Sequence, residues 1–197
     1  VVVEETTRLG RLADQLLNLS RHDAGITQSV HESVQLNALL GDVAEQLQPF
    51  AHDRGVMLAC ESGATCEVNG DDIRLSQVFF NCLENAIKYT LPGGEVTIRL
   101  QTTAQAAVVE IQDNGIGISA SDVPHIFERF YRVDPSRQTD SGGTGLGLSI
   151  AKAAVLAHDG TIDLHSQLES GTTVMIRILL STSAPNTGSS QTNLLNV

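Results

Sequence analysis

Apolar residues recur along this 197-residue chain with two periods, one near 3.6 and one of 2. At the start, Leu9, Leu12, Leu16 and Leu19 alternate spacings of three and four, and Val2 lies one heptad before Leu9. That narrow seam is the pattern of a helix in a coiled coil or four-helix bundle, and Gly25 ends it. A single helix cannot bury such a seam alone, so residues 1–25 read as a dimerisation helix rather than one lying on its own domain. Residues 26–36 read as a short connector. A helix is predicted from about Asn37, taken as its N-cap, with Leu39, Leu40, Val43, Leu47 and Phe50 on one face and a stop near Arg54-Gly55.

Two short strands, 56–61 and 65–68, are expected around a Ser62-Gly63 turn. Asp71 or Asp72 then caps a long helix that runs to Tyr89, apolar at Ile73, Leu75, Val78, Phe79, Cys82, Leu83, Ala86 and Ile87. "LPGG" at 91–94 breaks it. "EVTIRLQT" and "AAVVEIQ" alternate as a hairpin would, and residues 119–143 are polar apart from the aromatic island "IFERFYR". A helix after "GGTGLGLSI" is expected to reach about His158, and "TIDLHS" with "TTVMIRILL" form a last strand pair. Residues 182–197, rich in Ser, Thr and Asn, read as a disordered tail. Helices alternating with paired strands predict an α/β class protein: a two-layer α/β sandwich, with a mixed sheet and helices on one face, over residues 27–181.

Hydrophobic residues make up 41% of the chain, enough to build a core, and the formal charge is −11. That balance argues against nucleic acid or an anionic membrane as the main partner. Lysine occurs only at 88 and 152, which makes its placement informative. Cys60, Cys66 and Cys82 have neither disulfide-framework nor zinc spacing and read as packed thiols of a reducing cytosol. No apolar run approaches the roughly 20 residues that span a bilayer. The chain opens without Met inside a helical pattern, which reads as a fragment whose upstream part is missing.

Two glycine-rich turns stand out, Gly115-x-Gly117 and Gly143-x-Gly145-x-Gly147. Glycine lets backbone N–H groups come close to phosphate oxygens, and the second turn opens directly into a helix, whose N-terminus favours anions. A Walker A loop is excluded because no glycine is followed by lysine, and the G-x-G-x-G spacing does not fit a dinucleotide fold. In the long helix, Asn81, Asn85 and Lys88 share a face by i, i+4, i+7 spacing. Asparagine is a poor mid-helix residue, whereas amide oxygens suit Mg²⁺ with phosphate co-ligands. These positions therefore read as functional rather than as a solvated face.

At this level the chain resembles the catalytic, ATP-binding domain of bacterial two-component sensor histidine kinases, within the gyrase, Hsp90 and MutL superfamily. Four motifs occur in the family's order. "NCLENAIKY" looks like the asparagine box and "DNGIGI" like the first glycine box. "FERFYR" looks like the phenylalanine box and "GGTGLGLSI" like the second glycine box. The resemblance implies a Bergerat-type fold, ATP and Mg²⁺ as ligands, and a role for each matching position. Asp113 would accept a hydrogen bond from the adenine amino group, and Gly115 and Gly117 would turn the chain beside the base. Asn85 with Asn81 would hold Mg²⁺, Lys88 and Arg132 would meet phosphate, and Tyr89 would line the site. Residues from about Arg129 to Gly142 would form an ATP lid, with Phe127 and Phe130 anchoring its start. Gly143, Thr144, Gly145, Leu146 and Gly147 would supply the hinge and backbone donors.

Relatives that hydrolyse ATP carry glutamate where this chain has Asn81, which cannot act as a base, so transfer to a side chain is expected instead of hydrolysis. The family's acceptor box is His, an acid, a basic residue, x, then Pro. None of the six histidines matches it, including His22-Asp23 at the end of the first helix. The acceptor is therefore expected outside this sequence. The resemblance implies a homodimer formed through an N-terminal hairpin and a response-regulator receiver domain as partner. It implies a cytoplasmic domain and leaves membrane anchoring of a longer protein open. An ATP-sensing pseudokinase module and an anti-sigma-type serine kinase are the alternatives. The leucine seam speaks against the second, and the intact asparagine, lysine and glycine positions against the first.

Overall fold

The computed structural model describes residues 31–63, 65–133 and 144–181. The leucine seam, His22-Asp23, the segment 134–143 with Gly143, and the Ser/Thr-rich tail lie outside the described residues. In chain order the elements are β1 (Glu32–Gln35), α1 (Leu36–Asp53), β2 (Met57–Ser62), β3 (Glu67–Gly70), α2 (Asp72–Tyr89), β4 (Glu95–Thr102), β5 (Ala106–Asp113), α3 (Gly147–Leu156), β6 (Thr161–Gln167) and β7 (Gly171–Leu179). One 3-10 turn, Val123–His125, lies between β5 and α3. Five strands form a sheet in the order β2-β4-β5-β7-β6, and β1 pairs with β3 in a separate two-stranded ribbon. The β2–β4 pair is parallel and the rest of the large sheet antiparallel, so the sheet is mixed as expected.

The strands alternate, apart from buried Thr97 in β4. Val96, Ile98 and Leu100 of β4, Ala107, Val109 and Ile111 of β5, and Val174, Ile176 and Ile178 of β7 are buried against the helices. The opposite face is polar: Arg99 bonds Glu61 at 3.0 Å and Glu110 at 2.9 Å, and Arg177 bonds Asp163 at 3.1 Å. One apolar and one solvated face is the usual economy of an antiparallel sheet covered on one side. The covering layer contributes Leu36, Leu40, Val43 and Leu47 from α1, Leu75, Val78, Phe79, Leu83 and Ile87 from α2, and Ala151 and Val155 from α3.

Three local expectations need correction. Residues 56–61 and 65–68 are strands but do not pair with each other: β2 lies parallel to β4, and β3 joins β1, which occupies part of the expected connector. Parallel neighbours require a crossover, and α2 provides it between β2 and β4. Helix α1 starts one residue before Asn37, with Gln35 at the cap giving the helix no side-chain cap bond, while Asn37 Oδ1 accepts from the Cys66 N–H at 3.4 Å. Ile73, in the first turn of α2, is 77% exposed rather than part of the apolar face. Asp71 is the cap of α2, its carboxylate accepting from Arg74 N–H at 3.0 Å.

Candidate nucleotide-binding site

Between α2, α3 and the turn after β5 lies a cleft of about 1570 Å³, larger than the roughly 300–1,000 Å³ of ordinary small-molecule pockets. Asn81, Asn85, Lys88, Tyr89, Asp113, Gly115, Gly117, Arg132, Thr144, Gly145 and Gly147 all line it. The structure thus brings together residues from four separate stretches of sequence.

One end is set by the sheet. Asp113 is the last residue of β5 and only 8% exposed. Its Oδ1 accepts from the N–H of Gly115 at 2.9 Å and of Thr172 at 3.2 Å. No described protein group donates to Oδ2, which leaves one acceptor for a ligand. Burial pushes the carboxyl above its ordinary range, against the pull of the two backbone donors. The turn after it is clamped from both sides. Ile116 donates to the Tyr89 carbonyl at 3.1 Å and accepts from Glu169 at 2.8 Å, while Ile118 N–H bonds Ser166 Oγ at 2.8 Å. A Cβ on Gly115 would lie 2.3 Å from the Tyr89 carbonyl oxygen. Gly117 has φ +67°, and a Cβ there would lie 1.9 Å from the Gln167 carbonyl oxygen. The two glycines are therefore required by packing against protein backbone, in addition to the turn beside a ligand that the resemblance implied.

The other end is set by helices. The two asparagines of the polar face differ. Asn81 is 3% exposed and has both amide ends engaged: Oδ1 accepts from Gln77 at 2.9 Å and Nδ2 donates to the Gly147 carbonyl at 3.1 Å. It ties α2 to the first turn of α3. Asn85 lines the cleft without a side-chain hydrogen bond to any described residue. Lys88 Nζ stands 5.0 Å from the Tyr89 ring centroid, and no described carboxylate neutralises it. Helix α3 begins at Gly147 with no side-chain cap, so its first N–H groups are open to an anion at the cleft. Among the described residues no three His, Cys, Asp or Glu side chains converge as a metal site. A divalent ion here would need amide oxygen and ligand phosphate, the donor set that suits Mg²⁺.

Some expected contributors act differently. Leu146 is fully buried, so it offers only backbone, and its N–H bonds Thr144 Oγ1 at 3.3 Å. Phe127 packs on the core, with Lys152 Nζ 5.1 Å from its ring centroid. The Phe130 ring is no anchor: it is 63% exposed, and its left-handed backbone (φ +65°) instead sends the N–H to the Gly145 carbonyl at 2.9 Å. Thr172, Ser166 and Gln77, which hold the site residues, carried no sequence signal because their partners are distant in the chain or, for Gln77, one unremarkable helical turn away. His158, by sequence about the last residue of α3, is a buried clamp. Its Nε2 accepts from Asp71 N–H at 2.9 Å, and its Nδ1 faces the Ala154 carbonyl at 2.7 Å.

Residues 70–182 match the model of the histidine kinase-, DNA gyrase B-, and HSP90-like ATPases. The chain is 38% identical over 166 residues to the sensor histidine kinase CusS of Escherichia coli, covering 83% of this chain and 34% of that protein. It is 37% identical over 180 residues to the sensor protein SrrB of Staphylococcus aureus, covering 90% and 30%. The chain thus spans about a third of the length of the curated relatives it matches. Among solved structures, the mycobacterial sensor histidine kinase MprB superposes with a TM-score of 0.67 at 31% identity, covering 77% of this chain and 98% of that one. Full-length ShkA in complex with AMPPNP gives 0.80 at 26% identity, covering 92% and 38%. With the fold, the four ordered motifs and the cleft they share, these matches place the chain: it belongs to the histidine kinase-, DNA gyrase B- and HSP90-like ATPase family.

Proposed function

We propose that this chain is the ATP-binding catalytic part of a sensor histidine kinase, passing the γ-phosphoryl of ATP to a histidine that this sequence does not contain. One observation carries the reading. A buried carboxylate with one unpartnered oxygen, Asp113 Oδ2, lines the same cleft as Lys88, Arg132 and the open N-terminus of α3. An acceptor-only carboxylate suits the exocyclic amine of adenine and rejects the carbonyl that guanine offers there. The cations and helix N-terminus suit a triphosphate in a protein whose overall charge of −11 would otherwise repel it.

Mg²⁺ bound to the phosphates would neutralise charge as the phosphoryl group leaves. Asn85 is the residue that would hold the ion. Asn81, with both amide ends on protein partners, would support it by fixing α3. Lys88 and Arg132 would orient the terminal phosphate. The bond to the β-phosphate oxygen breaks while a bond to an imidazole nitrogen forms, and catalysis is mostly positioning and charge neutralisation. The amide of Asn81 cannot act as a base to activate water, which favours transfer over hydrolysis.

The acceptor histidine is assigned to a dimerisation hairpin, of which residues 1–25 would be the return arm. Homodimerisation through that hairpin and onward transfer to a receiver-domain aspartate follow from the same reading, in a cytoplasmic catalytic domain. No helix among the described residues is long and apolar enough to cross a membrane. The test is incubation of the purified chain with γ-labelled ATP. Bound nucleotide without covalent label is expected. An acid-labile, base-stable label on the chain would refute the absent acceptor, and no nucleotide binding would refute the whole reading.

A further inference from the structure

Residues 119–133 join the glycine turn to the far side of the cleft and contain one regular turn only. Buried Ile126 and core-packed Phe127 fix the middle of this stretch. They do not fix its end, where Arg132 must reach the cleft. A polar cross-link does so, beside the Phe130 N–H bond to the Gly145 carbonyl at 2.9 Å. The Tyr131 hydroxyl donates to Asp122 Oδ1 at 2.8 Å, and Ser119 Oγ donates to Asp122 Oδ2 at 2.6 Å. The backbone N–H groups of Asp122 and Val123 return to the Ser119 carbonyl at 3.0 and 3.1 Å, so the carboxylate is itself held. The His125 ring lies 5.5 Å from the Tyr131 ring, and its Nδ1 is 2.7 Å from Glu128 Oε1. The two hydroxyl donors hold the Asp122 carboxyl below its usual range, and the bond to that carboxylate raises the Tyr131 phenol.

We propose that Asp122 and Tyr131 form a cross-brace that sets the position of Arg132 for the phosphates of the nucleotide, with Asp122 and Ser119 as positioning residues that touch no substrate. The proposal rests on the nucleotide reading above. Charge alone predicts the opposite of the brace: removing an anion near a polyanion site should strengthen binding. Loss of the brace should weaken it, and only for ligands that carry phosphate.

Calorimetric titration of the chain with Mg·ATP and with adenosine separates these cases. Asp122→Ala is expected to bind Mg·ATP about 3- to 10-fold more weakly, the value of one net hydrogen bond, with adenosine affinity held within about twofold. Asp122→Asn keeps an oxygen acceptor for the Tyr131 hydroxyl and should recover most of the loss. Tyr131→Phe, which deletes one oxygen, should lose Mg·ATP affinity to a similar degree, and the double variant Asp122→Ala/Tyr131→Phe should be no weaker than either single one. Asp122→Ala binding Mg·ATP as well as wild type or better overturns the brace. So does an equal loss for ATP and adenosine, which would mean general loosening. Wild-type chain that binds neither ligand overturns the nucleotide reading itself.

Discussion

The two ends of the cleft are built on opposite plans. At the strand end, Asp113 Oδ1 and the turn after it are bonded to Thr172, Tyr89, Ser166 and Glu169, and backbone atoms fill the space a side chain would need at 115 and 117. At the helix end, Asn85, Lys88 and the first turn of α3 present groups that described protein atoms leave unsatisfied. On the proposed reading the first end lacks only a partner for Asp113 Oδ2, and the second would be completed by a ligand. Pre-formed contacts to the base can fix which nucleotide enters without further ordering, whereas a polyanion must bring its own charge to make the other end pay off in binding. The contrast also separates two uses of glycine and two uses of asparagine that look alike in sequence.

The sharpest way to break the contrast is Gly117→Ala. Its Cβ would fall 1.9 Å from the Gln167 carbonyl oxygen at φ +67°, and both chains that meet there are backbone. A loss of about 3 kcal/mol or more in urea unfolding is expected, since neither the clash nor the left-handed backbone can be relieved by a rotamer change. Stability within about 0.5 kcal/mol of wild type, the range of an inert surface change, would show that the turn is not rigidly clamped.

Next in size is Asp113→Asn. The amide oxygen can still accept from Gly115 and Thr172, but an NH₂ then faces the adenine amino group, donor against donor. ATP affinity should fall about 10- to 100-fold, as expected when a site built to accept a hydrogen bond no longer can. Stability should move the other way. Burial raises the folded-state pKa above the ordinary 3.8, so the folded chain keeps its proton to higher pH than the unfolded one. Stability contributed at this site is therefore lost as pH rises above 3.8 through the raised pKa, and the charged form is a cost near neutral pH. Asp113→Asn should match or exceed wild-type stability at neutral pH and show a flatter pH dependence. If unfolding at neutral pH is instead clearly easier, the carboxylate is stabilising the fold and the strand end is not dedicated to a ligand.

Much of this was legible in the chain. The alternation in β4 and β5 and the caps of α2 located those elements to within a residue or two, because each is decided by neighbours a few positions away. What misled was pairing. Nothing local distinguishes a strand that turns back on its neighbour from one that crosses over, so β2 and β3 were found but not their partners, and β1 was missed inside a connector. The site shows the same limit. Asn81, Asn85, Lys88 and Asp113 could be named from motif and helical spacing. That Asn81 is consumed by Gln77 and Gly147 depends on a contact 66 residues apart, and that the Phe130 ring is exposed depends on a left-handed backbone angle. The Asp122–Tyr131 link crosses an irregular stretch where periodicity says nothing.

The smallest expected effect tests the contrast within one helix face. Asn81 and Asn85 are one turn apart and were equivalent candidates for Mg²⁺ by spacing. Asn81→Ala removes both hydrogen bonds of a buried amide and leaves the Gly147 carbonyl without its donor, at a cost of about 1–2 kcal/mol in unfolding free energy. Part of that is offset because alanine is the better helix former, by about 0.5 kcal/mol. Asn85→Ala loses no hydrogen bond to a described residue and gains the same propensity, so its stability should equal or slightly exceed that of wild type. Its defect should appear in binding alone: Mg·ATP affinity down about 10-fold, the scale of one good ligand contact, with metal-free ADP nearly unaffected. Paired urea melts and titrations on the two variants read both quantities. If Asn85→Ala melts early and Asn81→Ala does not, the structural and ligand-facing asparagines are exchanged, and the ion belongs at position 81.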